Sequence, residues 1–327
     1  MATPRRVRVD APTERRNPAT EHLDTLDTLG VLGLINAADA AVPAAVAGAL
    51  PEIARAVDLA VASLRAGGRV HYFGAGSSGR YAMLDAAEIP PTYGYPADRI
   101  VAHLAGGLQA LVRAVEDVED DESAGRRDAA AVEPADVAIG ITASGRTPYV
   151  AAALGEARAR GAATVLISSN PAAPIAAAAE VHIMVDTGPE VVTGSTRMKA
   201  GTAQKMVLHS FSTAVMVRLG RTYSNLMVDL APNNGKLRAR QVAMLRMATG
   251  ADEQTCGQSL DDSGGDLRVA LVSLLATVEA EVARARLAAA GGDVRAALGQ
   301  TPRGSRLTAA AGDVRAAAGE TRADPDE

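Results

Sequence analysis

Short apolar runs recur through the first two thirds of the chain, and longer segments with apolar residues at helical spacing lie between them. Runs that are apolar throughout are typical of strands buried on both faces of a parallel sheet. They predict five strands, at residues 69–73, 100–104, 137–141, 164–168 and 181–185. Helical spacing predicts helices at residues 80–88, 149–160, 199–218 and 237–249. This alternation predicts an α/β fold, a three-layer αβα sandwich with a parallel sheet.

The residues on either side of this core have a different character. Residues 1–12 are polar and aperiodic, and they predict a disordered arm. Residues 36–64 carry two segments at helical spacing, each with a proline where a helix can begin, and predict two helices before the first strand. We therefore expect one large domain at residues 13–250 and a small helical appendage at residues 251–327.

The appendage contains an internal repeat. Residues 286–301 align with residues 306–321 at an offset of 20, with 12 of 16 positions identical. The repeat predicts short helices that meet at Gly292-Asp293 and Gly312-Asp313, where the aspartate caps the following helix. None of its residues suggests chemistry, so we predict a structural role.

Composition excludes several classes of partner. The 327 residues carry a net charge of -5, no Trp, two Phe and six Tyr, which argues against nucleic-acid binding. Apolar runs such as residues 40–50 are too short and alanine-rich for a bilayer, which needs about 20 apolar residues. The single Cys256 cannot form an internal disulfide, and no two histidines have metal-motif spacing. We expect no metal, no membrane span and a cytoplasmic location.

The first loop after a predicted strand, Gly74-Ala-Gly-Ser-Ser-Gly79, matches the GxGxxG pattern of dinucleotide-binding folds. Such a site needs an acidic residue at the end of the next strand, and Ala105-Gly106-Gly107 stands there instead. NAD is therefore disfavoured. Ser77 and Ser78 beside the amides of a helix N-terminus favour a phosphate cradle, with a structural tight turn as the alternative.

Two further hydroxyl-rich loops precede predicted helices. One is Thr142-Ala-Ser-Gly-Arg-Thr-Pro148, and the other is Thr193-Gly-Ser-Thr-Arg-Met-Lys199. Because the carboxyl ends of parallel strands bind ligands in open α/β folds, these loops strengthen the phosphate-site prediction. Ser195 or Thr196 is also a candidate cap of the following helix, and Arg197 and Lys199 could equally be surface cations.

Carboxylates supply the candidate chemistry. Glu88 precedes Pro90-Pro91, which we expect to end the helix and hold the carboxylate beside a rigid turn. The run Glu116-Asp-Val-Glu-Asp-Asp-Glu122 reads on composition alone as a solvated acidic face. Only a reason to place one of its acids opposite Glu88 would change that interpretation.

Six stretches in order together resemble the N-acetylmuramic acid 6-phosphate etherases, a family with a sugar isomerase (SIS) domain. The resemblance covers about residues 12–320, and the stretches are residues 13–18, 74–80, 85–94, 143–149, 193–205 and 225–229. Two of them are specific: Glu-Ile-Pro-Pro-Thr at 88–92 and GSTRMKAGTAQK at 194–205. Ser77 stands where many members have Thr, and Gly235 stands where members usually have Glu.

The resemblance implies cleavage of the lactyl ether of N-acetylmuramate 6-phosphate, giving N-acetylglucosamine 6-phosphate and D-lactate, with no cofactor. It implies that Glu88 is the acid that protonates the departing lactyl oxygen and that Glu119, chosen over Glu116 by spacing, is the base at C2. It also implies a homodimer. The substrate-binding candidates are Ser77, Ser78, Gly79, Ser144, Arg146 and Thr147, with Ser195, Thr196 and Lys199 as second choices.

Two other functions remain open at this level. A related vertebrate glucokinase regulator uses the same kind of domain to bind a hexose phosphate without catalysis, so a sugar-phosphate sensor is one alternative. A sugar-phosphate isomerase is the other, since it removes a C2 proton but needs no acid for a leaving group.

Overall fold

The computed structural model describes residues 11–229 and 235–300. Within them the chain forms two compact units, one of residues 11–222 and 227–229 and the other of residues 223–226 and 235–300. Residues 1–10 of the predicted arm and the second copy of the repeat, residues 306–321, lie outside the described residues. Ala11 and Pro12, at the end of the predicted arm, are buried.

The first unit is built on a five-stranded parallel sheet in the order β2-β1-β3-β4-β5. Its strands are β1 Val70–Gly74, β2 Ile100–Leu104, β3 Val137–Ile141, β4 Ala163–Ser168 and β5 Val181–Met184. All five predicted strands are confirmed to within one residue at each end. The α/β prediction is confirmed with them.

Helices cover both faces of this sheet. In chain order they are α1 Thr28–Asp39, α2 Val42–Gly48, α3 Leu50–Arg65, α4 Gly76–Tyr93, α5 Gly107–Val112, α6 Glu122–Asp128, α7 Pro148–Ala159 and α8 Lys199–Arg218. Short 3-10 helices lie at Pro12–Glu14, Pro18–Thr20, Leu23–Thr25, Val118–Asp120, Ala129–Ala131 and Pro174–Ala178. Three α-helices, not the predicted two, precede β1.

Side chains that alternate along the strands build two separate cores. On β1, Val70 and Tyr72 point to the face covered by α3, α4 and α8, where Phe211 and Val215 of α8 pack. Phe73 of the same strand points to the opposite face, against Tyr149 and neighbouring residues of α7. This alternation follows from the two-residue period of a strand and explains why the strands are apolar throughout.

Helix α4 continues through the Pro90-Pro91 pair, so the prediction that this pair ends the helix is wrong. A proline in a helix lacks the N–H that would bond to the carbonyl four residues earlier. The helix nevertheless persists to Tyr93, because the N–H of Gly94 closes the last turn on Pro90 O at 2.9 Å. Gly94 has a positive φ of 57°, a conformation that glycine adopts without strain.

The second unit contains the helices α9 Gly235–Thr249, α10 Glu253–Asp262, α11 Leu267–Ala276, α12 Ala280–Ala289 and α13 Val294–Ala297. The strands β6 Thr222–Tyr223 and β7 Leu226–Met227 form a two-stranded ribbon. The boundary predicted after residue 250 requires correction, because α9 packs on α10 and α11 and belongs to this unit. At the predicted Gly292-Asp293 junction, Asp293 caps α13 by accepting from the Ala296 N–H at 3.0 Å.

One helical stretch in the described residues, Thr28–Gly48, has the length and apolarity of a membrane span, with mean hydropathy 1.7. A single stretch of this kind near an N-terminus is a weak indication of a membrane span. Here it consists of two shorter helices, α1 and α2, and Val42 and Val46 of α2 are buried in the core. Neither helix alone reaches the roughly 20 residues that a bilayer requires.

Candidate functional site

The first phosphate-type loop forms the start of a helix. Helix α4 begins at Gly76, so Ser77 and Ser78 lie in its first turn and not in a loop before it. Their backbone amides are among the donors that have no partner within the helix and that favour anions. A Cβ on Gly79 would stand 2.6 Å from Gly74 O, so Gly79 permits the close approach of α4 to β1.

The second loop is held rigidly at the end of β3. Thr142 Oγ1 lies 2.8 Å from Thr147 Oγ1 and 3.3 Å from Ser144 Oγ, and the Arg146 N–H donates to Ser144 Oγ. Asn170, which is fully buried after β4, donates through Nδ2 to Ser144 O at 2.8 Å. Because Gly74 pairs with Ile141, this loop and the first turn of α4 follow neighbouring strands and lie at one edge of the sheet.

Arg146 adds a cation to this edge. Its Nε is buried and has no hydrogen-bond partner among the residues that the structure describes. A guanidinium donor without a protein partner suits a phosphate oxygen, which accepts charge-assisted hydrogen bonds. The arrangement is compatible with the predicted role of Arg146.

The third loop is organised differently from the prediction. Neither Ser195 nor Thr196 caps α8; the cap is Glu190, whose carboxylate accepts from the N–H groups of Lys199 and Ala200 at 3.0 Å each. Glu190 is fully buried, and burial raises the pKa of its carboxyl group. An acid at a helix N-terminus satisfies free amides and the helix dipole together.

Lys199 is turned inward in this structure. Its side chain is 6% exposed, and Nζ donates to Thr187 O at 2.6 Å. Ser195 and Thr196 remain half-buried in the loop before the helix. The first turn of α8, which follows this loop, lies beside the early turns of α4, because a Cβ on Gly201 would stand 3.1 Å from the ring of Tyr81.

The two candidate acids are both exposed and occupy different positions. Glu119 lies in the 3-10 helix Val118–Asp120, where Val118 packs on Gly106 just after the end of β2. It is therefore near the same sheet edge as the phosphate loops. Glu88 is twelve residues into α4, about 18 Å along the axis at 1.5 Å per residue.

The surroundings of Glu88 contain residues that the sequence interpretation did not select. Asp85, one turn earlier, is 3% exposed and accepts hydrogen bonds from Tyr72 and Ser212. On α8, His209 and Lys205 are close enough to interact electrostatically with each other, and His209 interacts in the same way with Glu88. Burial lowers the pKa of His209, and the Lys205 charge adds to that effect. The spacing of Asp85 and Glu88 on one helix is visible in the sequence, whereas their contacts with α8 are not.

Within residues 11–229 and 235–300, no group of three or more His, Cys, Asp or Glu side chains is arranged to hold a metal ion. The expectation of a metal-free site remains a prediction. Hydroxyls, helix amides, the Arg146 guanidinium and the Glu119 carboxylate are the candidate groups at this edge, and Glu88 lies farther along α4.

Comparison with known proteins identifies the family. The N-terminal SIS domain of glucokinase regulatory protein matches residues 52–158, and the SIS domain matches residues 107–214. The N-acetylmuramic acid 6-phosphate etherase of Thermobifida fusca is 59% identical over 267 residues, which cover 82% of this chain and 88% of that protein. The chain belongs to the N-acetylmuramic acid 6-phosphate etherase family.

Other etherases extend the match along the chain. The etherase of Pectobacterium atrosepticum is 50% identical across 88% of this chain and 95% of its own length, and that of Deinococcus radiodurans is 45% identical across 92% and 97%. A solved phosphoheptose isomerase from Francisella tularensis aligns with a TM-score of 0.48 and 18% identity, covering 59% of this chain and 100% of that one. The resemblance seen in the motifs is thus confirmed over most of the chain.

Proposed function

We propose that this etherase uses Glu119 and Glu88 as base and acid to cleave the D-lactyl ether of N-acetylmuramate 6-phosphate. The family assignment supports the reaction, a carbon–oxygen lyase reaction that yields N-acetylglucosamine 6-phosphate and D-lactate. The single observation that carries the site is the gathering of both phosphate-type loops and Glu119 at one edge of the parallel sheet.

The chemistry begins with the open-chain sugar, whose C2 hydrogen is acidified by the neighbouring aldehyde. Glu119 removes the C2 proton, the C3–O bond breaks, and Glu88 gives a proton to the departing lactyl oxygen. Water then adds at C3, and C2 regains a proton. The base must be ionised and the acid protonated, so the two carboxyl groups need different surroundings.

Phosphate binding is assigned to the first turn of α4 and to the loop after β3. The candidates are Ser77, Ser78, Ser144, Arg146 and Thr147, and Gly79 contributes by allowing α4 to approach β1. Local amides and hydroxyls favour the dianion here although the whole chain carries a net charge of -5. Ser195, Thr196 and Lys199 stay second choices; Lys199 would have to release Thr187 O to reach a substrate.

We also propose a homodimer. The C3 atom of the sugar is only three carbon–carbon bonds from C6, whereas Glu88 is about 15–17 Å along α4 from Ser78 and Ser77, which would bind the phosphate. One chain therefore does not bring both to one substrate. Leu84, one turn before Glu88 on α4, is 46% exposed, and Leu108 and Val112 on α5 are 75% and 78% exposed. These apolar side chains offer a surface for a second copy.

A cytoplasmic location is part of the same proposal. The substrate carries a phosphate, and an uncompensated charge is costly to move through hydrocarbon, so phosphorylated sugars stay in the compartment where they form.

The decisive experiment follows lactate release and C2 exchange in deuterated water. Glu119→Gln should lose both, and Glu88→Gln should lose lactate release while retaining C2 exchange, each by about 10²- to 10⁴-fold as for a lost acid or base. Glu122→Gln is the matched control, an exposed acid on α6 paired with Arg126 at 2.7 Å. Full lactate release by both test variants would refute the assignment.

A further inference from the structure

A carboxyl group that has no cationic partner among the described residues is buried one turn before Glu88. Asp85 is 3% exposed, and its two oxygens accept from neutral hydroxyls: Tyr72 Oη donates to Oδ2 at 3.0 Å and Ser212 Oγ donates to Oδ1 at 2.8 Å. Burial raises the pKa of Asp85 to about 6; the two hydrogen bonds oppose this rise, and the nearby charge of Glu88 adds to it. Burying such a group costs stability unless it is well paired, so a role in function explains it better than packing alone.

The helix at this point needs an anchor. Pro90 and Pro91 supply no N–H, so the carbonyls of Ala86 and Ala87 lose the donors that a regular helix would place four residues later. The turn that carries Glu88 is thus held by fewer backbone bonds than the rest of α4. The hydrogen bonds of Asp85 tie this turn to β1 through Tyr72 and to α8 through Ser212.

We propose that Asp85 is a positioning residue for Glu88, because its two buried hydrogen bonds fix the turn of α4 from which Glu88 reaches the substrate. This inference rests on the proposed role of Glu88. On a helical wheel Glu88 lies between Leu84, which is exposed, and Asp85, which is buried, so a small rotation of this turn would move Glu88 between solvent and the α4–α8 boundary.

Asp85 and Glu88 share their surroundings with other titratable groups. Five such groups lie on the three elements that pack here: Tyr72 on β1, which stays neutral because burial raises its pKa, Asp85 and Glu88 on α4, and Lys205 and His209 on α8. Asp85 and Glu88 interact through their charges, and His209 interacts in the same way with Glu88 and with Lys205.

The test is Asp85→Asn, which keeps the size of the side chain and an acceptor oxygen but removes the charge. We expect kcat for lactate release to fall about tenfold, with KM changed less than twofold, because positioning acts on the transition state more than on binding. We also expect the basic limb of the kcat–pH profile to move to lower pH, because Asp85→Asn removes a negative charge that interacts with that of Glu88.

The matched control is Asp136→Asn. Asp136 is also 3% exposed and also accepts two hydrogen bonds, but it lies on the opposite face of the sheet from α4. A merely structural defect would appear in both variants, whereas only Asp85→Asn should shift the pH profile. If Asp85→Asn does not fold, Ser212→Ala removes one of the two bonds, keeps the carboxyl group, and should lower kcat about threefold.

Two results would overturn the proposal: wild-type kcat and pH profile in Asp85→Asn, or an equal shift in Asp136→Asn. Glu88→Gln in the same assay separates this failure from failure of the proposed function. If Glu88→Gln retains lactate release, the role of Glu88 itself is wrong. If Glu88→Gln is inactive while Asp85→Asn matches the wild type, only the positioning role is wrong.

Discussion

A carboxyl group is buried on each face of β1, and the two groups have different roles. On the Tyr72 face, Asp85 accepts from two side-chain hydroxyls, and no cation pairs with it within residues 11–229 and 235–300. On the His71 face, Asp136 accepts from the backbone N–H groups of Arg69 and Glu133 at 2.7 and 2.8 Å, and it lies 3.3 Å from His71 Nε2. Equal burial therefore does not mean equal role. Asp136 fixes where two strands begin, whereas Asp85 holds a helix turn that carries a candidate catalytic acid.

On the His71 face, polar side chains form a row from Asp136 through His71 to His103. His71 Nδ1 lies 3.1 Å from His103 Nε2 on β2, and the His103 ring stacks on Phe73 with centroids 4.6 Å apart. Burial lowers the pKa of both histidines, and for His103, with the further effect of His71, the pKa falls to about 4. Both imidazole rings are therefore neutral at physiological pH, so they can be packed among apolar side chains.

The two faces should respond to pH in opposite directions. The pKa of His103 is depressed from 6.5 to about 4, so its contribution to stability is present above pH 6.5 and is lost as the pH falls through 4. The pKa of Asp85 is raised from 3.8 to about 6, so its contribution is present below pH 3.8 and is lost as the pH rises through 6. Asp85 thus costs stability under the conditions in which the etherase works.

The largest predicted effect is that of Asp136→Ala. It leaves the part-buried backbone N–H groups of Arg69 and Glu133 without their acceptor, and each such group costs about 1–3 kcal/mol. We expect the free energy of unfolding to fall by about 3–5 kcal/mol, measured by urea titration. Lactate release per folded molecule should stay at the wild-type level. A large loss of kcat would show that Asp136 also contributes to catalysis. It would contradict the difference in role between Asp136 and Asp85.

The next effect is the pH dependence of stability on the His71 face. We expect His103→Leu to remove about 2–3 kcal/mol of the wild-type stability loss between pH 6.5 and pH 4, because each unit of pKa shift corresponds to about 1.4 kcal/mol. Urea titrations at a series of pH values measure it. Exposed His22, substituted in the same way, is the control and should leave the slope unchanged. An unaltered slope in His103→Leu would show that this histidine does not carry the acid sensitivity.

The smallest effect is expected for Tyr72→Phe. It removes one of the two hydrogen bonds of Asp85 and keeps the ring in the core, so the free energy of unfolding should fall by only about 1 kcal/mol. The kcat for lactate release should fall about threefold, and Tyr149→Phe, whose Oη donates to Asp128 on the other face, is the matched control. A larger loss of kcat in the control than in Tyr72→Phe would contradict the contrast.

The local pattern of apolar residues was sufficient to predict the strands and α8. It was insufficient to predict the contacts between elements. The strands and α8 are apolar or amphipathic over their own length, so their bounds can be predicted from a short window. The continuation of α4 through Pro90-Pro91 depends on packing and on Gly94, which lie outside such a window. The Ser212–Asp85 bond joins residues 127 positions apart, and the cap of α8 is an acid nine positions upstream, so neither has a sequence spacing to read.

The sequence alone predicts the candidate site only in part. Loops rich in Ser, Thr and Gly at strand ends pointed to phosphate binding on physical grounds, whereas Glu119 stood out from its acidic run only through the family resemblance. The inward turn of Lys199 was not foreseeable, because a lysine beside a hydroxyl-rich loop has the same sequence signature whether it faces a ligand or a backbone carbonyl.

Helix α4 also fixes the distance between its first turn and Glu88. Its first turn is at the sheet edge, and Glu88 stands twelve residues farther along. A single inserted or deleted residue between them would move the carboxylate by about 1.5 Å and rotate it by about 100° around the axis, given 3.6 residues per turn. Homologous chains should therefore keep the length of this segment even where its exposed side chains differ, and a designer who grafts the site must keep the same number of residues.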